Sequence, residues 1–273
     1  MDDQRAPHGA DTRHDVGKTR RMPADGRPSA YARPVLRIID ARTGAPADAA
    51  PARRGLTRVE AHTEGLDLTA LRVMLVADLL VRALELGGTP VWALLDGARQ
   101  QAELQAGAAA LGIRPFEESR DAASGLGEAQ VLHVVSEAGA DRDGVRVAVA
   151  PVRPEAPPPE ADPTALRLAL LSRHRGVPLR LDAAALADAH ASLVSRRRAV
   201  ARWARQPSRP IPDEVRARLR AAWEDDLDIP AVLEVLAWVE NEPDLPDGAR
   251  FETYAYADRL LGLELTRDVG SPE

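Results

Sequence analysis

Residues 68–95 read LTALRVMLVADLLVRALELGGTPVWALL, and this stretch decides the class of fold. The long apolar run to Leu86 predicts a buried helix, and the glycine pair after it is the usual signal for a helix C-terminus. The apolar run at 90–95 predicts a strand, and residues 56–62 before the helix form a weaker strand candidate. A strand, a helix and a second strand in this order indicate a βαβ unit, which implies a parallel sheet.

The rest of the chain divides at a proline-rich segment, where six prolines fall between residues 151 and 163. Before it, the sequence predicts further strands at 35–39, 130–135 and 145–150 and a helix at 98–111. After it, helical segments separated by prolines predict an antiparallel bundle. The predicted helices of the bundle cover residues 162–174, 182–205, 212–224, 229–241 and 249–263.

These elements predict an α/β fold in which a Rossmann-like parallel-sheet domain is followed by an antiparallel α-helical bundle. The predicted units are a disordered leader at 1–33, a reduced Rossmann-like domain at 34–150, a proline-rich linker at 151–161, the bundle at 162–265 and a tail at 266–273.

Composition excludes several classes of function. The chain has no cysteine, so it can form no disulfide, no thiolate metal site and no thiol nucleophile. A net charge of -6 argues against a general nucleic-acid binder. Residues 1–33 contain no apolar run and so predict no signal peptide, and the charged residues inside the run at 71–86 exclude a membrane span. We therefore expect a cytoplasmic protein with no membrane partner.

Several segments of this chain resemble cysteinyl-tRNA synthetases, which are class I aminoacyl-tRNA synthetases, in the order in which that family has them. The resembling segments are 35–43 (VLRIIDART), 72–91, 110–115 (ALGIRP), 165–172 (ALRLALLS), 224–231 (EDDLDIPA) and 259–263 (RLLGL). The last three resemble the helical domain that follows the catalytic domain of the family. The resemblance implies a class I synthetase-type domain joined to that helical domain, and hence a truncated and degenerate paralogue.

The departures from the family fall on its chemistry. Its His-x-Gly-His signature is expected just before Arg72, but residues 67–70 read DLTA. Its Lys-Met-Ser-Lys-Ser loop is expected before Asp162, but residues 151–161 contain neither lysine nor serine. The zinc ion of the family needs cysteine thiolates, so no metal is expected here. The residues that remain as candidates for a nucleotide cleft are Asp67, Thr69, Arg72 and Arg153.

The leading functional hypothesis is a pseudoenzyme that does not aminoacylate tRNA and acts as a binding or regulatory module. It assigns no catalytic residue and expects no cofactor apart from a vestigial site for ATP. The alternative is an ATP-dependent ligase that adenylates cysteine, a cysteine-like acid or another carboxylic acid. ATP–pyrophosphate exchange separates the two.

An arginine-rich stretch supplies candidate contacts for tRNA or a protein partner, since guanidinium groups bind phosphates and an indole can stack on a base. These candidates are Arg196, Arg197, Arg198, Arg202, Trp203 and Arg205. The alternative interpretation is that these arginines form ion pairs within the bundle, because residues 221–264 are rich in acidic side chains.

Two further groups of residues have alternative interpretations. Asp225, Asp226 and Asp228 are either metal ligands or caps of the helix that follows, and Pro230 at its first turn favours caps. His62 and His133 each fall at the end of a predicted strand, where a Rossmann-like fold places ligand contacts. Isolated histidines at such positions are also commonly structural.

Overall fold

The computed structural model describes residues 36–51, 56–97, 99–118, 130–136, 143–155 and 162–271. The described residues from Leu36 onward belong to one compact unit. The predicted leader, residues 156–161 of the predicted linker and the last two residues of the predicted tail lie outside the described part, so the predicted domain boundaries stay predictions. No helix in the described part is long and apolar enough to cross a membrane.

A parallel sheet lies at the centre of the fold, as the sequence predicted. Its five strands are β3 (Thr57–His62), β4 (Val91–Asp96), β5 (Glu117–Glu118), β6 (Gln130–Ser136) and β7 (Val145–Val149). The strand order is β5-β4-β3-β6-β7, and every neighbouring pair is parallel. The Rossmann-like α/β fold class is thereby confirmed.

Two small sheets accompany the central one. β1 (Arg37–Ile39) pairs with β2 (Pro46–Asp48) in antiparallel orientation. β8 (Val152–Pro154) pairs in parallel with β9 (Leu179–Leu181). The sequence did not predict β9, and it placed β8 within the linker because prolines flank Val152 closely.

Seven helices are found among the described residues. They are α1 (Leu68–Leu86), α2 (Gln101–Ala110), α3 (Pro163–Leu171), α4 (Ala183–Trp203), α5 (Asp213–Glu224), α6 (Ile229–Asn241) and α7 (Asp247–Leu261). α3 packs on α4, α5 on α6, and α4 on α7. The predicted helices are therefore present, while their arrangement as an antiparallel bundle stays a prediction.

α1 connects the two halves of the chain. It packs against β3, β4 and β6 on one side of the sheet, and it also contacts α7. Val59 of β3 and Leu132 of β6 are fully buried in the core that α1 shares. Because side chains alternate along a strand, the neighbours of these residues project from the opposite face of the sheet.

Candidate functional site

The residues at the start of α1 hold the protein backbone in place. The Oδ1 atom of Asp67 accepts a hydrogen bond from the Ala70 N–H at 2.6 Å, which makes Asp67 the N-cap of α1. The Thr69 hydroxyl oxygen accepts from the Val152 N–H at 3.1 Å and so fastens β8 to α1. Both side chains thus use their oxygen atoms within the protein.

Arg72 is buried, with 1% of its surface exposed. Its guanidinium donates to four backbone carbonyl oxygens at 2.9–3.0 Å, those of Ala150, Arg173, His174 and Val177. Burial lowers the pKa of Arg72 to about 10. Arg72 therefore crosslinks α1 to the two segments that flank the β8–β9 sheet.

Arg153 is exposed on β8, next to the strand residue that Thr69 holds. The fold therefore gathers three of the four nucleotide-cleft candidates around the start of α1 and β8, with Arg72 one turn further into the helix. As contacts to a nucleotide, all four stay predictions.

The arginine-rich stretch does not form one surface. Trp203 is buried, and its indole lies 5.1 Å from the Tyr254 ring, centroid to centroid. Arg197 is also buried and donates to the carbonyl oxygens of Leu263 and Glu264 at 2.9 and 3.0 Å. Arg197 additionally pairs with the Glu264 carboxylate at 3.5 Å, as the interpretation of pairing within the bundle predicted.

The other members of the stretch are more accessible. Arg196 is half-buried and donates to the Ser192 hydroxyl at 2.7 Å. The exposed members are Arg198, Arg202 and Arg205. A tRNA or protein contact at this helix, which stays a prediction, would use these three rather than Trp203.

The aspartates before α6 divide between two roles. The Asp228 carboxylate accepts from the Ala231 N–H at 3.1 Å, so the predicted helix cap is confirmed for this residue. Asp226 instead accepts from the Ile39 N–H at 2.8 Å and forms ion pairs with His174 and Arg175. Cap formation was wrong for Asp226, whose backbone has a positive φ of 57° and whose carboxylate contacts Ile39 of β1 instead.

A polar cluster lies on the face of the sheet opposite α1. Glu60 of β3 pairs with His133 of β6, and paired residues project to the same face of a sheet. His62 follows two residues after Glu60 and pairs with Asp96 of β4. The four side chains therefore meet on one face. His62 and Asp96 are the last residues of their strands, where open α/β sheets bind ligands. Glu60 and His133 lie within their strands, so the predicted strand-end position was wrong for His133.

Three atoms of this cluster, one each from Glu60, His62 and His133, face one another at or slightly beyond hydrogen-bonding distance. The Nε2 atom of His62 is 2.9 Å from the Nδ1 atom of His133. The Oε2 atom of Glu60 is 3.4 Å from His133 Nδ1 and 3.8 Å from His62 Nε2. Only about a tenth of each side chain is exposed: 9% for His62, 10% for His133 and 11% for Glu60.

The outer nitrogens of both imidazoles have partners of their own. His62 Nδ1 lies 2.9 Å from Asp96 Oδ2, and His133 Nε2 lies 2.8 Å from the Asp143 carbonyl oxygen. The contact with His133 lowers the pKa of Glu60 against the opposing effect of burial. Glu60 is therefore an ionised carboxylate facing two imidazoles.

Sequence reasoning found only half of this cluster. It singled out His62 and His133 because it predicted both at strand ends, but it did not connect them with Glu60 or Asp96. The available signal was the spacing of Glu60 and His62, which places both side chains on one face of a strand. The pairing with His133 and Asp96 depends on strand order and register, which local sequence does not specify.

No known family model matches the chain. A curated protein of Streptosporangium roseum, L-cysteine:1D-myo-inositol 2-amino-2-deoxy-alpha-D-glucopyranoside ligase, is 39% identical to it over 114 residues. The match covers 39% of this chain and 26% of that protein, so the chain spans about a quarter of the length of this relative. A distant homologue of the chain is thus a cysteine ligase of the class I synthetase-like kind, which is related to cysteinyl-tRNA synthetase.

Proposed function

We propose that the chain is a relative of the cysteine ligases that forms no aminoacyl adenylate and acts as a binding or regulatory module. The observation that supports this most strongly is the environment of Arg72, the first cationic side chain after the expected position of the His-x-Gly-His signature. Its four hydrogen bonds end on backbone carbonyl oxygens of the protein itself. These bonds engage all four N–H groups on Nη1 and Nη2, so only the Nε–H group of this buried side chain remains for a phosphate oxygen.

The electrostatics at the start of α1 also oppose a polyphosphate. A helix N-terminus attracts anions, and here the Asp67 carboxylate already occupies it as a cap. Each preorganised donor that an active site loses typically raises the barrier by about 2.7–4 kcal/mol. The signature imidazoles and lysines of the resembled family are missing together, so adenylation at a useful rate is not expected.

The thiolate-bound zinc site of the resembled family does not fit this chain either, because the chain contains no cysteine. Selection of a cysteine substrate through that site is therefore not part of the proposal. tRNA and a protein are the partner classes that we propose for the module.

The decisive experiment is ATP–pyrophosphate exchange with cysteine and with a panel of other amino acids, with an active cysteine ligase as the positive control. We expect no exchange above the background without enzyme. Robust exchange by purified protein that rises linearly with its concentration would overturn the proposal.

A second candidate function is an ATP-dependent ligase acting on a cysteine-like or other carboxylic acid. The ligase activity of the relative favours it, and so does the exposure of Arg153 beside the Thr69 contact. In this case ATP binds measurably by calorimetry, and Arg153→Ala weakens that binding. Arg209→Ala is the matched control, since Arg209 is exposed elsewhere on the molecule.

Arg72→Ala does not distinguish the two functions. It removes four hydrogen bonds that join α1 to other segments, so a loss of ATP binding in that variant would follow from unfolding as readily as from a lost ligand contact.

A further inference from the structure

The hydrogen bonds of the outer nitrogens determine where the protons of the two imidazoles lie. The carbonyl oxygen of Asp143 can only accept, so the His133 Nε2 atom that contacts it carries a hydrogen. The Asp96 carboxylate oxygen likewise accepts from the ring, which places a hydrogen on His62 Nδ1. In the neutral rings, the inner nitrogens of both residues therefore present lone pairs.

Three acceptor atoms consequently face one another in a nearly buried space: His62 Nε2, His133 Nδ1 and the carboxylate oxygen of Glu60. Lone pairs at these distances repel one another unless a cation lies between them. A single added proton can bridge only two of the three atoms. A metal ion bound at the centre contacts all three.

The three acceptor atoms form a triangle whose dimensions fit a metal ion at its centre. Its sides measure 2.9, 3.4 and 3.8 Å. A point equidistant from the three atoms lies about 2.0 Å from each, which matches Zn–N distances of about 2.0–2.1 Å and Zn–O distances of about 2.0–2.2 Å.

The surroundings of the triangle resemble the outer coordination sphere of metal sites. A histidine that binds a metal usually donates its other N–H to a carboxylate or a backbone carbonyl, which fixes the ring orientation. His62 does so to Asp96, and His133 does so to the Asp143 carbonyl. Two imidazoles and one carboxylate favour Zn²⁺ and its neighbours among the transition metals over Mg²⁺ or Ca²⁺.

We infer that Glu60, His62 and His133 form a binding site for one divalent transition-metal ion of the Zn²⁺ class. The three protein ligands leave a fourth coordination position open for a water molecule or another small ligand, as in catalytic zinc sites. This site uses none of the cysteine ligands of the resembled family. The inference holds whether or not the chain forms an adenylate.

The test is a calorimetric titration of Zn²⁺ into the full chain after removal of its affinity tag and treatment with a chelator. We expect one Zn²⁺ ion per chain. Because even outer-sphere changes weaken metal sites about 10–100-fold, we expect Glu60→Gln to lose at least about tenfold in affinity and His133→Gln at least about a hundredfold. His190→Gln is the matched control and should bind as the unmutated protein does, since His190 lies away from the cluster and is more than half exposed.

The double variant His8→Gln/His14→Gln controls for the two histidines of the N-terminal segment and should also bind normally. If His133→Gln does not fold, the unmutated protein still decides the question. Zn²⁺ should raise its melting temperature while Mg²⁺ does not, and bound Co²⁺ should give the visible absorption of a four-coordinate site. Absence of Zn²⁺ binding, or binding that His133→Gln retains and His8→Gln/His14→Gln abolishes, would overturn the inference.

Discussion

Arg167 and Asp78 form an ion pair in the interior, with Arg167 Nη2 lying 3.1 Å from Asp78 Oδ2 and side-chain exposures of 0% and 1%. The pair joins α3 to α1. Arg82 and Arg114 also donate to the Asp78 carboxylate, and Arg167 donates to the carbonyl oxygens at the ends of α2 and α7. One carboxylate of α1 thus pairs with three guanidinium groups where α1 meets α2, α3 and α7.

We expect Asp78→Asn to be among the most destabilising single substitutions in the chain. It keeps the volume of the side chain but leaves Arg167 charged and without its anion in a buried position. Breaking a buried pair in this way costs about 3–5 kcal/mol of unfolding free energy. Urea denaturation followed by circular dichroism measures the loss.

Glu85→Gln is the matched control for this substitution. Glu85 pairs with Arg114 at 2.7 Å, but its side chain is 43% exposed, so the expected loss is below about 1 kcal/mol. Equal losses in the two variants would show that burial of the Asp78 network contributes nothing.

The elements of the fold were easier to predict from sequence than the partners of their charged residues. The predicted bounds of α1 agree with the structure because a capping aspartate and a glycine pair delimit a long apolar run. The burial of Arg167 was not predictable, because its carboxylate lies 89 residues earlier in the chain. The same holds for Arg72, whose carbonyl partners lie 78 to 105 residues away.

The candidate site illustrates the same division. Strand ends could be located from apolar runs and turn residues, and this placed His62 correctly at the carboxyl end of β3, whereas His133 lies in the middle of β6. The order of the strands within the sheet could not be predicted from these local signals. Along the chain, β4 and β5 lie between β3 and β6, but in the sheet β6 is the direct neighbour of β3. Only this adjacency brings His133 next to Glu60.

Trp203→Ala tests the role of the indole in the arginine-rich stretch. Trp203 is buried against Tyr254, so its removal leaves a cavity, and we expect a loss of about 3–5 kcal/mol in unfolding free energy. If the indole instead served to stack on RNA bases, the substitution would leave stability nearly unchanged. Thermal and urea denaturation distinguish these outcomes.

Trp238→Ala is the control for loss of an indole as such. Trp238 is half-buried, with the guanidinium of Arg218 4.3 Å from its ring centroid. Its removal should cost about 1–2 kcal/mol, clearly less than removal of Trp203.

His174 should make stability depend on pH. The hydrogen bond to Asp226 raises the pKa of His174 in the folded protein above its ordinary value of 6.5, against the effect of burial. A raised pKa means that the stabilisation is fully present below about pH 6.5 and is lost as the pH rises through the folded-state pKa. We therefore expect the urea midpoint to fall between pH 6 and pH 8.5.

His174→Gln should remove the part of this decline that His174 causes, so the two proteins should differ more in stability at pH 6 than at pH 8.5. His190→Gln should keep the decline of the unmutated protein. A difference between His174→Gln and the unmutated protein that grows with rising pH would contradict the assignment, because the sign would then be that of a lowered pKa.

Gly144→Ala should disturb both the start of β7, where it lies beside β6, and the proposed metal site. Gly144 has a φ of 118°, and a Cβ atom added there would lie 2.8 Å from the Val131 carbonyl oxygen and 3.4 Å from the His133 ring. The backbone strain and the displacement of neighbours together should cost about 2–3 kcal/mol in unfolding free energy. The same displacement should weaken Zn²⁺ binding, because His133 Nδ1 can no longer face His62 and Glu60 at the same distances.

Gly44→Ala separates the effect of backbone strain from the effect of displaced neighbours. Gly44 also has a positive φ, 69°, but an added Cβ atom would meet nothing within 4 Å. It should therefore cost only the conformational term of about 1 kcal/mol and leave Zn²⁺ binding unchanged. If Gly144→Ala matches Gly44→Ala in both stability and Zn²⁺ affinity, then close packing around His133 does not hold the imidazole in its position.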